Sequence, residues 1–200
     1  MGIYSIFLDK DMYFDKGCSI NGRSFNHLAE FVKVYLSSND KINRIYIAGA
    51  CYCRNSTSAD ELVEVCFGNK RKYKIATISR YRGFNYKFVD DAIKKFQIFL
   101  NTLVNKKYDH RKMMYFLIDD EVVAILIGSS NFSRNTYMYD IASEADILLV
   151  KEGMGNEKFI SGLIESNQKE LLISKTLKNN NDKYLQKIFE ENLSQLTEIK

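Results

Sequence analysis

Two apolar segments separated by a short acidic turn most constrain the fold of this chain. Residues 113–118 and 122–127 are rich in β-favouring side chains, and Asp-Asp-Glu lies between them at 119–121. Two such runs joined by a short polar turn predict a β-hairpin. Because hairpin strands are antiparallel, the residues that precede the first strand and those that follow the second lie at the same end of the sheet.

Polar side chains converge at that end of the predicted hairpin. His110 and Lys112 precede the first strand and, since a strand has a period of two, they are predicted to lie on the same face. Gly-Ser-Ser-Asn follows the second strand at 128–131. A histidine, a fixed positive charge and a carboxamide at one end of a rigid sheet suit a phosphate. The alternatives are ordinary structure: an ion pair of the histidine with Asp109, and a polar turn.

Positive charge is concentrated in the segment that leads into the hairpin. Between positions 69 and 112, thirteen Lys and Arg residues stand against three Asp, whereas the whole chain has a net charge of only +4. The segment contains Arg80 and Arg82, interleaved with aromatic residues that could stack on bases. It predicts an electropositive approach for a polyanion. A solvated lysine-rich surface, with the aromatics packed under a loop, is the alternative.

The order of predicted elements describes an α/β fold. Strands are predicted at 3–8, 42–50, 73–78 and 147–150, and helices at 24–38, 58–67, 88–104, 156–166 and 182–196. Strand and helix alternate up to the hairpin, which predicts a mixed, mostly parallel sheet flanked by helices on both sides. Ser24 is the predicted N-cap of the first helix, and His27 is predicted to be a surface or capping residue. We expect one domain at 1–175 and a C-terminal helical tail at 176–200.

The composition argues against several classes of protein. No apolar run approaches the ~20 residues that cross a bilayer, and the first residues lack the features of a signal peptide. The cysteines form no Cys-x-x-Cys pair, and the two histidines are far apart in the sequence. We therefore expect a cytoplasmic protein with reduced thiols and no metal or cofactor, a zinc site being the alternative.

The segment 109–150 resembles the signature of the phospholipase D superfamily. His110-x-Lys112 is followed by a strand, by Gly-Ser-Ser-Asn-Phe-Ser, and by Glu144 in a position similar to the glutamate of the nuclease branch. That branch includes phospholipase D-type restriction endonucleases and small bacterial nucleases. Lipid-cleaving members usually carry an aspartate five positions after the lysine, where this chain has Leu117. The resemblance therefore implies a nuclease rather than a lipase, with the fold of one phospholipase D-like half.

The resemblance implies phosphodiester hydrolysis through a covalent phosphohistidine. His110 would attack phosphorus, and a second histidine would protonate the leaving oxygen. Lys112 and Asn131 would hold the non-bridging oxygens and stabilise the charge of the transition state. Glu144 would hydrogen-bond a histidine ring and fix its tautomer, although it could also simply cap a strand. Two fixed cationic sites could replace a metal, so no divalent ion is needed.

The resemblance, together with the basic segment at 69–112, leads to the expected substrate contacts and partners. The substrate-binding candidates are Ser129, Ser130, Arg111, Arg80 and Arg82. His27 lies in no matching context, so the second catalytic histidine has to come from a second copy in a symmetric homodimer. DNA is the expected substrate, and a specificity or helicase/ATPase subunit of a restriction or defence system is a candidate partner. A phospholipid phosphodiesterase and a non-catalytic DNA-binding module of the same fold are the alternatives.

Overall fold

The computed structural model describes residues 2–9, 18–49, 52–68, 71–79, 86–104, 111–139, 144–165 and 173–176. The strands in these ranges are β1 (Ile3–Asp9), β2 (Cys18–Ile20), β3 (Arg23–Phe25), β4 (Arg44–Ala48), β5 (Lys74–Ser79), β6 (Ile98–Val104), β7 (Met113–Ile118), β8 (Glu121–Gly128), β9 (Ala145–Lys151) and β10 (Ile173–Thr176). The helices are α1 (Leu28–Ser38), α2 (Ser56–Phe67), α3 (Tyr86–Phe96), α4 (Arg134–Tyr137) and α5 (Glu157–Glu165).

Eight strands form one mixed sheet in the order β10-β1-β9-β8-β7-β4-β5-β6, and β2 pairs with β3 in a separate hairpin. The pairings of β4 with β5 and of β5 with β6 are parallel. The other five pairings in the sheet are antiparallel. The predicted α/β fold and mixed sheet are confirmed. The prediction that the sheet is mostly parallel is wrong, because every strand from β7 to β10 along the sheet joins it by antiparallel pairing.

All five described helices pack on one face of the sheet. Met114 and Phe116 of β7 lie in the core on this face, where the ring of Tyr35 from α1 meets Phe116 edge to face at 5.0 Å between centroids. Met113 and Leu117 alternate to the other face and join a second cluster that is built from strand residues. In the described part of the chain, helices therefore cover one face rather than the two predicted. None of these helices is long and apolar enough to span a bilayer.

The segment predicted as one helix at 88–104 divides into α3 and β6. The helix ends at Phe96, and the next residue, Gln97, is buried. The side chain of Gln97 donates from Nε2 to the carbonyl of Gly68 at 2.6 Å and accepts at Oε1 from the N–H of Tyr73 at 2.7 Å. The helical prediction is wrong beyond Phe96, since these bonds turn the chain and the β-favouring residues that follow pair with β5.

The start of α1 also differs from the prediction. Its N-cap is His27, whose Nδ1 accepts a hydrogen bond from the N–H of Glu30 at 3.2 Å. The carboxylate of Glu30 in turn accepts from the N–H of Asn26 at 2.8 Å. Ser24, the predicted N-cap, lies in β3. His27 is thus a capping residue, as expected, and it satisfies an amide at the start of the helix.

The predicted hairpin is confirmed as β7 and β8. Its two-residue turn is Asp119 and Asp120, and Asp119 has a positive φ of 54°. Asn43, just before β4, holds this turn: its Nδ2 donates to Asp119 Oδ1 at 2.7 Å and its Oδ1 accepts from the N–H of Asp119 at 2.9 Å. Arg44 forms an ion pair with Asp120. The turn end of the hairpin is therefore tied to β4, and the opposite end carries the predicted site.

The C-terminal part of the chain is described up to β10, which pairs antiparallel with β1 at the edge of the sheet. The predicted helix at 182–196 and the tail beyond Thr176 lie outside the described residues. The predicted domain boundary at 175 stays a prediction.

Candidate active site

Three segments meet at one end of the central strands, where the chain enters β7, leaves β8 and enters β9. The N–H of Gly128 donates to the carbonyl of Lys112 at 3.3 Å, and the N–H of Ser129 donates to the carbonyl of Ala145 at 3.1 Å. Glu144 immediately precedes Ala145. β8 pairs with β7 on one side and with β9 on the other. The fold therefore brings Lys112, the turn after β8 and Glu144 together at the same end of these three strands.

The two serines of the turn have different surroundings. Ser129 is exposed, and its hydroxyl accepts from the N–H of Ala145 at 3.1 Å. Ser130 is only 3 % exposed. Its Oγ donates to Asp146 Oδ2 at 2.6 Å and its N–H donates to Asp146 Oδ1 at 3.3 Å. A substrate can reach the hydroxyl of Ser129, whereas that of Ser130 is bonded inside the protein.

The backbone of Asn131 rests on a rigid support. Its carbonyl accepts hydrogen bonds from the N–H of Ser133 at 2.7 Å and from the hydroxyl of Thr136. Phe132 is buried, and its ring stacks on that of Phe67 from α2 with centroids 6.2 Å apart. The side chain of Asn131 is half-buried. It is attached to a backbone that is held in place by the residues before and after it.

Asp146 is a buried carboxylate for which the sequence predicted no role. It is the second residue of β9, is 3 % exposed and lies opposite Gly128 in the register of β8 with β9. A Cβ at Gly128 would lie 2.0 Å from Asp146 Oδ1 and 2.4 Å from the carbonyl oxygen of Ala145. Only glycine leaves room for this carboxylate. An acidic residue inside the otherwise apolar start of β9 is the sequence signal that could have identified it.

The phenol of Tyr137 lies near this carboxylate and stays neutral. Burial raises the pKa of Tyr137 well above its ordinary value, and the charge of Asp146 raises it further. Ser130 donates both of its hydrogen bonds to the oxygens of Asp146. Hydrogen bonds to a carboxylate are about twice as strong as those between neutral groups.

The other predicted site residues fall into two groups. Arg111 and Lys112 are half-buried at the start of β7, and Glu144 is half-buried before β9. Those outside the described residues are His110, Arg80 and Arg82. β7 begins and β5 ends at the same end of the sheet. In the sequence, His110 precedes Arg111, and Arg80 and Arg82 follow the last residue of β5. Their roles stay predictions.

The described cysteine thiols lie inside the protein. Cys53 and Cys66 are free and buried. Burial raises the pKa of Cys53 to about 11 and that of Cys66 well above its ordinary value. Both are therefore neutral thiols at neutral pH. Within the described residues, no three His, Cys, Asp or Glu side chains are placed to hold a metal ion.

Comparisons with known proteins found no matching family model and no matching curated protein. Among solved structures, the chain is similar to NucT from Helicobacter pylori, with 12% identity and a TM-score of 0.49 over 85% of this chain and 98% of that one. It is also similar to polyphosphate kinase from Porphyromonas gingivalis, with 10% identity and a TM-score of 0.44 over 82% of this chain and 26% of that one. A third similar structure is yeast tyrosyl-DNA phosphodiesterase, with 14% identity and a TM-score of 0.38 over 84% of this chain and 41% of that one.

The chain spans nearly the whole of NucT but less than half of the other two proteins. The resemblance to the phospholipase D superfamily rests on the sequence motif of the chain itself. It also rests on the arrangement of β7, β8 and β9, which brings the described residues of that motif to the same end of these strands.

Proposed function

We propose that this chain is a metal-independent endonuclease that cleaves DNA through a covalent phosphohistidine. One observation carries the proposal: backbone hydrogen bonds join Lys112 to Gly128 and Ser129 to Ala145. Lys112, Asn131 and Glu144 therefore lie at the same end of the central strands. In the sequence, His110 lies two residues before Lys112, on the segment that leads into β7.

The proposed reaction has two steps. A ring nitrogen of His110 attacks phosphorus, and the bond from phosphorus to the leaving oxygen breaks as a second histidine gives that oxygen its proton. Water, which the second histidine deprotonates, then attacks the phosphohistidine, and the bond from phosphorus to His110 breaks. Lys112 and Asn131 donate to the non-bridging oxygens, where negative charge builds up. Glu144 accepts a hydrogen bond from a histidine ring and fixes its tautomer.

The substrate contacts proposed around this centre are the exposed hydroxyl of Ser129 and the guanidinium groups of three arginines. The arginines are Arg111 at the start of β7 and, beyond β5, Arg80 and Arg82. Guanidinium groups suit phosphates because they can donate two parallel hydrogen bonds to one phosphate. A specificity or helicase/ATPase subunit is the partner that would select the target.

The position of Leu117 favours nucleic acid over lipid as the substrate. Lipid-cleaving relatives usually carry an aspartate there, but Leu117 is buried in the second apolar cluster. The nearest aspartates in the chain, Asp119 and Asp120, form the turn at the far end of the hairpin. A carboxylate cannot take the role of that aspartate from either position.

A symmetric homodimer supplies the second histidine in this proposal. Of the two histidines in the chain, His27 caps α1 and bonds to the N–H of Glu30. The acid for the leaving oxygen is therefore His110 of a second copy. We expect sedimentation at the concentration of the cleavage assay to give twice the mass of one chain. A species of one-chain mass that cleaves with full activity would contradict the composite site.

Plasmid cleavage without metal tests the reaction class. Supercoiled plasmid incubated with the full chain is expected to be nicked and linearised equally fast in excess EDTA and in Mg²⁺, since no step uses a divalent ion. Phosphatidylcholine vesicles incubated in parallel are expected to release no choline. The proposal fails if the plasmid stays intact, if EDTA stops its cleavage, or if only the lipid is hydrolysed.

A further inference from the structure

Asp146 is the buried carboxylate at the proposed site that the reaction above does not use. We propose that Asp146 is a positioning residue, which holds the turn after β8 so that the side-chain amide of Asn131 meets the phosphate. This inference rests on the proposed function. Asp146 does not touch the substrate in this view, and it acts through Ser130 and the peptide bond to Asn131.

The hydrogen bonds of Ser130 support the inference. Both donors of this residue, N–H and Oγ, bond to the two oxygens of the same carboxylate, at 3.3 and 2.6 Å. Two bonds to one planar group fix the orientation of the peptide as well as its position. The next residue along the chain is Asn131, so a rotation of Ser130 would move the amide that the reaction needs.

The carboxylate itself is held in place by the strands around it. Gly128 has no side chain, and the space that a Cβ would fill is taken by Asp146 Oδ1, 2.0 Å away. The neighbouring N–H of Ser129 bonds to the carbonyl of Ala145 at 3.1 Å, which joins the same turn to the residue before Asp146. The turn is therefore bonded to two consecutive residues of β9, one through backbone and one through a charged side chain.

The charge of Asp146 is what an isosteric amide cannot supply. In Asp146→Asn one oxygen is replaced by an NH₂ group, which cannot accept from Ser130 and can bond to its hydroxyl only if the hydroxyl turns to accept. One of the two hydrogen bonds that Ser130 donates to a carboxylate is therefore lost, while the volume and the packing of β9 are kept. The variant thus separates positioning of the turn from filling of space.

Kinetics on plasmid or an oligonucleotide substrate test the inference. We expect Asp146→Asn to lower kcat about 10- to 100-fold, the range seen when groups that orient a reactive residue are changed. The KM should stay within about threefold, because uniform binding is not affected. Ser130→Ala, which removes one donor from the other side of the contact, should give a fall of similar size. Asp120→Asn, the same change at an 88 % exposed position of the same hairpin, is the control and should leave kcat unchanged.

A double-mutant cycle tells positioning from a general structural effect. If Asp146 acts through Asn131, then Asp146→Asn changes kcat by less than about threefold once Asn131 is already alanine. A kcat of Asp146→Asn equal to that of the parent would overturn the inference. So would an effect that multiplies in full with that of Asn131→Ala, since it would show that the carboxylate acts elsewhere.

A measurement that needs no activity keeps the inference distinct from the proposed function. In ¹⁵N–¹H spectra, Asp146→Asn should shift the Ser130 amide and the Asn131 side-chain amide and speed exchange of the Ser130 amide, and Asp120→Asn should not. If the parent cleaves nothing, the proposed function fails and these spectra alone decide. Unmoved resonances overturn the positioning role, and moved ones support it.

Discussion

Replacement of His110 by alanine is expected to lower the rate of plasmid cleavage in EDTA by a factor on the order of 10⁴ or more, as loss of a covalent nucleophile does. Lys112, Asn131 and the arginines would still bind a phosphodiester, but no group would remain to form the bond to phosphorus. The KM should therefore change much less than kcat. Single-turnover assays on a labelled oligonucleotide measure both. When a short reaction is quenched with detergent at alkaline pH, where the P–N bond of a phosphohistidine survives, the parent should also leave a covalent adduct of protein and nucleotide, and the variant should leave none.

His27→Ala is the matched control for this experiment, since the chain has only these two histidines. His27 caps α1, so its loss should lower the free energy of unfolding by about 1 kcal/mol. It should leave kcat and KM unchanged. Full cleavage by His110→Ala would rule out the nucleophile, and a loss of cleavage in His27→Ala without unfolding would place the second histidine in this chain rather than in a second copy.

Gly128→Ala is expected to cause the second large effect. The added methyl group would lie 2.0 Å from Asp146 Oδ1 and 2.6 Å from Asp146 Cα, so β8 and β9 must move apart at the site. Overpacking of this kind costs about 1–3 kcal/mol of folding free energy. Displacement of the turn by about 1 Å should also lower kcat roughly 100-fold, because Lys112 and Asn131 would no longer meet the same phosphate.

Urea unfolding and cleavage assays measure the two parts of this prediction. Asn135→Ala, at an exposed position in α4 just after the turn, is the control and should change stability by less than about 0.5 kcal/mol. A stable and fully active Gly128→Ala would show that the close contact with Asp146 is not required. A stable but inactive variant would instead place the whole effect in the turn.

The hairpin was predictable because its signals are local. Two β-favouring runs on either side of Asp119 and Asp120 leave few other arrangements, and alternation within Met113–Ile118 separates the two faces. Antiparallel pairing then fixes which residues share an end. That is why Lys112 and the turn after β8 could be placed together from sequence alone.

The sheet order was not predictable in the same way. β1 pairs with β9 and β10, which lie far along the chain, and no local pattern records such a pairing. The helix prediction at 88–104 failed for a related reason. An apolar stripe continues from α3 into β6, and the end of the helix depends on bonds of Gln97 to residues distant in sequence.

The role proposed for Asp146 could not be predicted from the sequence either. A motif identifies groups that touch a substrate, because those residue types carry the chemistry. A carboxylate that bonds to the backbone and hydroxyl of Ser130 has no such signature. Its importance becomes visible only when the register of β8 and β9 sets it opposite Gly128.

The hydrogen bonds between Asn43 and the hairpin turn fix the register of β7 against β4. Asn43 bonds to Asp119 in both directions, and its N–H donates to the carbonyl of Leu117 at 3.1 Å. A slip of β7 by one residue would exchange its two faces. Lys112 lies seven residues from Asp119, a distance of roughly 20 Å along an extended strand. The side of the sheet from which this lysine leaves is therefore decided at the end of the hairpin farthest from it.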